Sequence, residues 1–214
     1  MTDGEPRSAR GRRTRARLLE AGKAVFERDG FLNARVTDIT DEAEVSHGAF
    51  YHYFESKETL FREIAEDVEV RLVAMDDIAD AVGPDAGPID RIRAANRSYL
   101  SAYRKEARIM RVIEEVSRYD DEVRAVRTKR DDELAARLES AIARLQAEGL
   151  ADPRIDKRYA AIALGSMVAR FAEGMFVAGG RYAFETAVEQ LTLLWANSLG
   201  LRENPPRRRS SPSR

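Results

Sequence analysis

The sequence predicts an all-α fold on three observations. Apolar residues recur with helical spacing along almost the whole chain, no alternating run is long enough for a strand, and two short helical segments flank a tight corner. Leu18, Leu19, Val25 and Phe26 mark a first helix, which Gly30 is placed to close as a C-terminal cap. Residues 37–43 form a second helix with Ile39 and Ala43 on one face. Glu44 and Val45 make the corner, and Ser46 is placed to N-cap a third helix whose Phe50 and Phe54, at i and i+4, point inward. Ser56 caps the next helix. Leu60, Phe61, Ile64, Val68, Leu72, Met75 and Ile78 mark it as long, running into a second domain with the boundary near Ala65. Residues 83–88, GPDAGP, break the chain. Ile92, Asn96, Tyr99 and Tyr103 then line one helix, and Ile109, Met110, Ile113 and Val116 line another. Val123, Val126, Leu134, Leu138, Ile142 and Leu145 line a further one, which Gly149 and Pro153 stop.

The helix expected over residues 154–178 is apolar on two faces. Leu164, Met167, Val168, Phe171 and Met175 make one stripe, and Ile162, Ala169 and Phe176 make the other at heptad spacing. The last helix carries Phe184, Val188, Leu191, Trp195 and Leu199 on one side and Leu193 on another. A single helical domain readily buries one stripe, so the second points to a partner chain. The expected assembly is a homodimer with Ile162, Ala169, Phe176, Leu193 and Trp195 at its interface.

At 214 residues and 43% hydrophobic composition the chain is long enough for one or two globular domains. No apolar run reaches the roughly 18 residues of a membrane span, and no apolar segment follows the arginine-rich N-terminus, so no membrane association and a cytoplasmic location are expected. The net charge of −1 says little, but its distribution says more. Arg7, Arg10, Arg12, Arg13, Arg15 and Arg17 lie together with no acid among them, ahead of the first helix, as a DNA-contacting arm would. Residues 204–214, NPPRRRSSPSR, read as a disordered basic tail.

The residues left exposed on the third helix, His47, Gly48, Ala49, Tyr51, His52 and Tyr53, are small or flat and carry no fixed charge. They suit a DNA groove, donating to phosphates or packing on base edges. Lys57 stands in the first turn of the next helix, where the macrodipole disfavours a cation unless an anion is near, and a phosphate is a natural candidate.

Together with RRTRARLLEAGKAVFERDGF, the stretch VTDITDEAEVSHGAFYHYFESK resembles the DNA-binding domain of the TetR family of transcriptional regulators over residues 12–68. The resemblance implies operator contacts at Thr37, His47, Gly48, Tyr51, His52, Tyr53 and Lys57. Ser46 joins this set, and Arg35 is a further phosphate contact. The sequence departs from the family pattern at Arg35, in place of a Ser or Thr cap, at Thr40 for alanine, at Glu44 for the turn glycine, and at Phe50 for leucine. Asn33 or Thr37 is then the expected cap of the second helix, and Glu44 the expected site of a positive φ. The implied organisation is a basic arm at 1–11, a helix-turn-helix domain at 12–65, a helical regulatory and dimerisation domain at 66–203, and the tail at 204–214.

Two partners follow from the resemblance: a double-stranded palindromic operator, and a small-molecule effector that releases the protein from it. Asn96, Tyr99, Tyr103, Met110, Phe171 and Met175 are the apolar and aromatic candidates for the effector pocket, and Arg170 is a candidate for an anionic effector or, with Glu173, an ion pair. No cofactor is expected. Enzymatic activity finds little material. The chain has no cysteine, its two histidines lie about 140° apart on one helix and cannot chelate one metal together, and no phosphate-cradling glycine loop is present. A helical adaptor without specific DNA binding is the other alternative.

Overall fold

The computed structural model describes residues 8–73, 82–83 and 86–201. Among these residues there are eight helices and no strand: α1 (Ala9–Asn33), α2 (Val36–Glu42), α3 (His47–Tyr53), α4 (Lys57–Leu72), α5 (Pro88–Val116), α6 (Asp121–Ala147), α7 (Lys157–Phe176) and α8 (Phe184–Ser198). Met75 and Ile78 of the long helix, Arg7 of the arm and the tail at 204–214 lie outside the described residues. The chain divides into two compact units, the first comprising Met1–Val73 with Lys105–Asp131 and the second Ala74–Arg104 with Asp132–Arg214. Residues 66–73, expected in the second domain, therefore stay with the first unit.

Three sequence expectations are corrected. The arginines at 10, 12, 13, 15 and 17 are not on an arm, because α1 starts at Ala9 with Ser8 as its cap, accepting from the Gly11 N–H at 3.1 Å. The two helices expected over 92–116 are one, since RKEAR between them contains no breaker. Neither Asn33 nor Thr37 caps α2. Asn33 donates back to the Asp29 carbonyl, and the N-cap position is Arg35, whose backbone N–H is held by Asp38 at 3.1 Å.

In the first unit α1 and α4 close over an aromatic cluster. The Phe26 ring lies 5.0 Å from Phe61 and 5.7 Å from Phe31, and Phe31 lies 4.9 Å from Phe61. Gly22 lets the two helices approach, because a β-carbon there would lie 2.6 Å from a Leu60 methyl. Gly30 has φ 75° and interrupts α1, leaving a short turn before Asn33. At the far end of α4, Glu106 of α5 forms an ion pair with Lys23 at 2.6 Å and accepts from Arg71 at 3.2 Å. Buried Glu69 faces Arg130 at 3.1 Å and Arg127 at 3.6 Å.

In the second unit α5 and α8 run antiparallel, as a ladder of pairs shows. Arg93 binds Glu189 at 2.9 Å and Arg97, one turn on, forks onto Glu185, one turn back, while Asn96 donates to Thr192 at 3.3 Å and Arg104 lies 4.7 Å from the Phe184 ring centroid, so in each set the later α5 residue meets the earlier α8 residue. Asp156 caps α7 by accepting from the Arg158 and Tyr159 N–H groups. Gly149, at φ 70°, ends the α6 region as its sequence position predicts.

Candidate nucleic-acid interface

The helix-turn-helix is built as the apolar spacing predicts. Ile39, Ala43, Phe50 and Phe54 are buried, and the Ser46 hydroxyl accepts from the Ala49 N–H at 3.3 Å to start α3. The corner turns on Glu44, whose φ of 49° is the one positive value at a non-glycine among the described residues. Arg17 steadies it by donating to the Ala43 carbonyl and to the Glu44 carboxylate, the latter at 3.2 Å.

Burying Phe50 turns the opposite side of α3 outward. His47, Gly48, Tyr51 and His52 are exposed, at positions i, i+1, i+4 and i+5 of one face, and Tyr51 is 53% accessible. Their rings brace each other, with His47 and Tyr51 edge-to-face at 5.2 Å and His52 and Tyr53 at 4.9 Å. Ser46, Thr37 and Arg35 are exposed too, whereas Tyr53 is half-buried.

Lys57 departs from the simple phosphate-contact reading. It is half-buried, and its ammonium donates to the carbonyls of Phe31 at 2.9 Å and Ala34 at 3.0 Å, while lying 4.8 Å from the Phe31 ring centroid. The negative partner that its position in α4 requires is thus supplied first by the chain itself. Two of its three N–H donors are taken, leaving one for an external acceptor. Arg15 is likewise turned inward, paired with Glu63 and 5.2 Å from the Phe54 ring, and Arg17, though exposed, is engaged at the corner by Ala43 and Glu44, which leaves Arg10, Arg12 and Arg13 as the other exposed arginines of the described basic run on α1.

The second unit contains a cavity of about 800 Å³ between α5, α6, α7 and α8. Of the pocket candidates, Asn96 and Tyr99 line it. Tyr103 does not, because its ring stacks on Phe176 at 6.2 Å. Met110 is buried in the first unit, Phe171 packs on Tyr182 at 5.0 Å, Met175 is half-buried away from the lining, and exposed Arg170 pairs with Glu173. Sequence reasoning missed Leu134, Leu138, Ile142 and Leu145 as lining residues, although their α6 periodicity was visible, because periodicity marks an inward face without showing whether that face meets side chains or a void.

Of the residues expected at a dimer interface, Ile162 and Leu193 are 51% and 46% exposed and Ala169 is half-buried. Phe176 is engaged by Tyr103, and Trp195, 6% exposed, lines the cavity instead, because the side of α8 carrying Val188 and Leu191 is the one the unit covers. No described helix is long and apolar enough to cross a membrane.

Residues 18–64 match the sequence model of the bacterial regulatory proteins of the tetR family, and residues 85–193 match that of the tetracyclin repressor-like C-terminal domain. Over 51 residues the chain is 45% identical to the HTH-type transcriptional regulator YfiR of Bacillus subtilis, covering 24% of this chain and 25% of that protein. Over 53 residues it is 42% identical to the HTH-type transcriptional repressor DhaR of a Mycobacterium species, covering 25% and 27%. These two relatives are therefore matched over about a quarter of their length. The fold is shared much more widely. The fatty acid degradation regulator FadR of Bacillus halodurans superposes with a TM-score of 0.74 over 92% of this chain and all of that one, at 16% identity. Such relatives are transcriptional regulators rather than enzymes. A buried Phe50 that turns an uncharged aromatic face outward, on a chain matched by both the head and the C-terminal models, places this protein in the TetR family of helix-turn-helix transcriptional regulators.

Proposed function

We propose that this regulator is a repressor, that it binds a palindromic duplex as a homodimer, and that a small molecule entering the second unit releases it. The observation that carries the reading is the pairing, in one chain, of an exposed groove-sized face on α3 with an 800 Å³ cavity on other helices. The contacts assigned to the operator are Arg35, Thr37, Ser46, His47, Gly48, Tyr51 and His52. Tyr53 contributes the exposed part of its ring and Lys57 its remaining donor. The open arginines of α1 add phosphate contacts that carry affinity without sequence information. Ile162 and Leu193 supply the exposed apolar surface for the second copy, and a two-fold dimer then presents two α3 helices to half-sites about 34 Å apart or a multiple of that.

Selection from a random duplex library, in salt near physiological and with non-specific competitor, tests this reading. Enrichment of an inverted repeat, bound by two chains or a multiple of two, is the expected result. Failure to enrich any sequence would overturn it.

A further inference from the structure

The cavity of the second unit presents one fixed hydrogen-bond acceptor and no buried charge. Asn96 of α5 lies on its lining at 5% exposure, and its Nδ2 donates to the Thr192 hydroxyl of α8 at 3.3 Å. That hydroxyl gives its single proton to the Val188 carbonyl at 2.7 Å, so toward Asn96 it can only accept. The amide is thereby fixed with its NH2 group at Thr192 and its oxygen turned away. Among the described residues no donor reaches Oδ1, and unlike the indole nitrogen of Trp195 this oxygen is not sealed from solvent, so it opens on the cavity its residue lines. Any molecule that fills the cavity dries this oxygen, and must then donate to it or leave it unpaired.

The rest of the lining disfavours an ion of either sign. Arg91, Arg137, Arg144 and Glu148 are its charged side chains and all four are exposed, whereas the buried lining, with Ile142, Val168, Trp195 and Leu199 in it, carries no charge. An ionised group seated there would lose its hydration with no counter-charge to replace it. We infer that the cavity takes an uncharged, mostly apolar molecule bearing a hydroxyl or amide N–H, with that donor on Asn96 Oδ1 and the apolar body against Ile142 and Val168. This rests on the reading of the cavity as the effector site and names the chemistry of that effector. Arg170, the arginine the sequence put forward for an anionic effector, is engaged by Glu173 and is not on the lining. A hydroxyl and an amide both donate to a carbonyl oxygen, so the shared chemistry is a neutral donor on an apolar body.

Trp195 is the only tryptophan in the chain and lines the cavity, so its emission reports occupancy. The full-length protein would be titrated with 1-octanol, octanamide, heptyl methyl ether, octanoate and octylammonium in their monomeric range, with calorimetry in parallel. We expect octanol or octanamide to change the emission and to bind about tenfold tighter than the ether and than either ion. Whichever of the two binds tighter identifies the donor. Asn96→Ala should bring that donor and the ether to equal affinity, and Thr192→Val, which keeps Asn96 but removes the hydroxyl that orients it, should narrow the gap. Equal binding of donor and ether in the parent chain, or tighter binding of either ion, would overturn the neutral donor while leaving the cavity as an effector site. A tenfold preference without release of the selected duplex would overturn the effector reading and leave the donor site standing. Neither heat nor an emission change with any of the five probes would overturn both.

Discussion

The Lys57 ammonium lies 2.9 Å from the Phe31 carbonyl oxygen and 4.8 Å from the centroid of the same residue's ring, so one side chain ties the start of α4 to the end of α1. Removing it strips two carbonyls of a charged donor and the ring of its cation. Lys57→Ala should therefore lower the unfolding free energy by about 1–3 kcal/mol as well as weaken DNA binding. Tyr51→Ala, on the exposed face of α3, should weaken DNA binding while changing stability by no more than about 0.5 kcal/mol. Urea unfolding and salt-matched DNA titrations of both variants separate the two roles. Equal stability of Lys57→Ala and the parent chain would show that the clamp contributes nothing.

Glu44 holds the helix-turn-helix corner at φ 49°, a conformation that costs a non-glycine residue about 1 kcal/mol. Its ion pair with Arg17 is exposed and offsets little of that. Glu44→Gly should raise the stability of the head by several tenths to about 1 kcal/mol and leave its fold unchanged. A lower melting temperature for the glycine variant would mean that the Arg17 pair outweighs the backbone strain.

Gly22 has the opposite logic. A methyl group there would meet Leu60 at 2.6 Å and Ile64 at 3.2 Å, so Gly22→Ala must displace these two buried side chains or push α1 from α4. Overpacking of about 1–3 kcal/mol outweighs the helix-propensity gain of about 1 kcal/mol, and thermal unfolding should show a net loss.

Glu69 is 2% exposed, and burial pushes its carboxyl above the ordinary 4.5, against the pull of Arg130 and Arg127. A carboxyl raised in the folded state contributes its full stability below the unfolded value and loses it as pH rises toward the folded one. Denaturant titrations at increasing pH above 4.5 should show that falling contribution, and Glu69→Gln should flatten it. Glu69→Ala leaves Arg130 buried without this partner and should cost about 3 kcal/mol. The same pH slope in the parent chain and in Glu69→Gln would exclude a raised Glu69.

Ile162 and Leu193 leave half their surface open on α7 and α8. Ile162→Glu together with Leu193→Glu should give a monomeric mass in light scattering at micromolar concentration, with helicity retained. Trp195 serves as the contrast, because Trp195→Ala empties part of a covered face and should lower stability by about 3 kcal/mol or more. A dimer persisting in the double glutamate variant would move the interface elsewhere.

What the sequence determined by itself is local. The all-helical class, the inward Phe50 and Phe54, the Ser46 and Ser56 caps, the corner at Glu44 and the stop at Gly149 all depend on residues within a turn or two of each other, where helical periodicity and backbone permissiveness act. The tertiary structure decided what needed a distant partner. Lys57 finds its acceptors 26 and 23 residues away, Arg15 and Arg17 turn from arm to framework through Glu63 and Ala43, and Trp195 faces a cavity. An apolar stripe looks the same in sequence whether it meets another helix, a second copy or an empty space. Only the packing of α5 to α8 shows that the void lies beside Asn96 and Tyr99 and that Met110 belongs to another unit, because a cavity is a property of how helices are spaced rather than of any one of them.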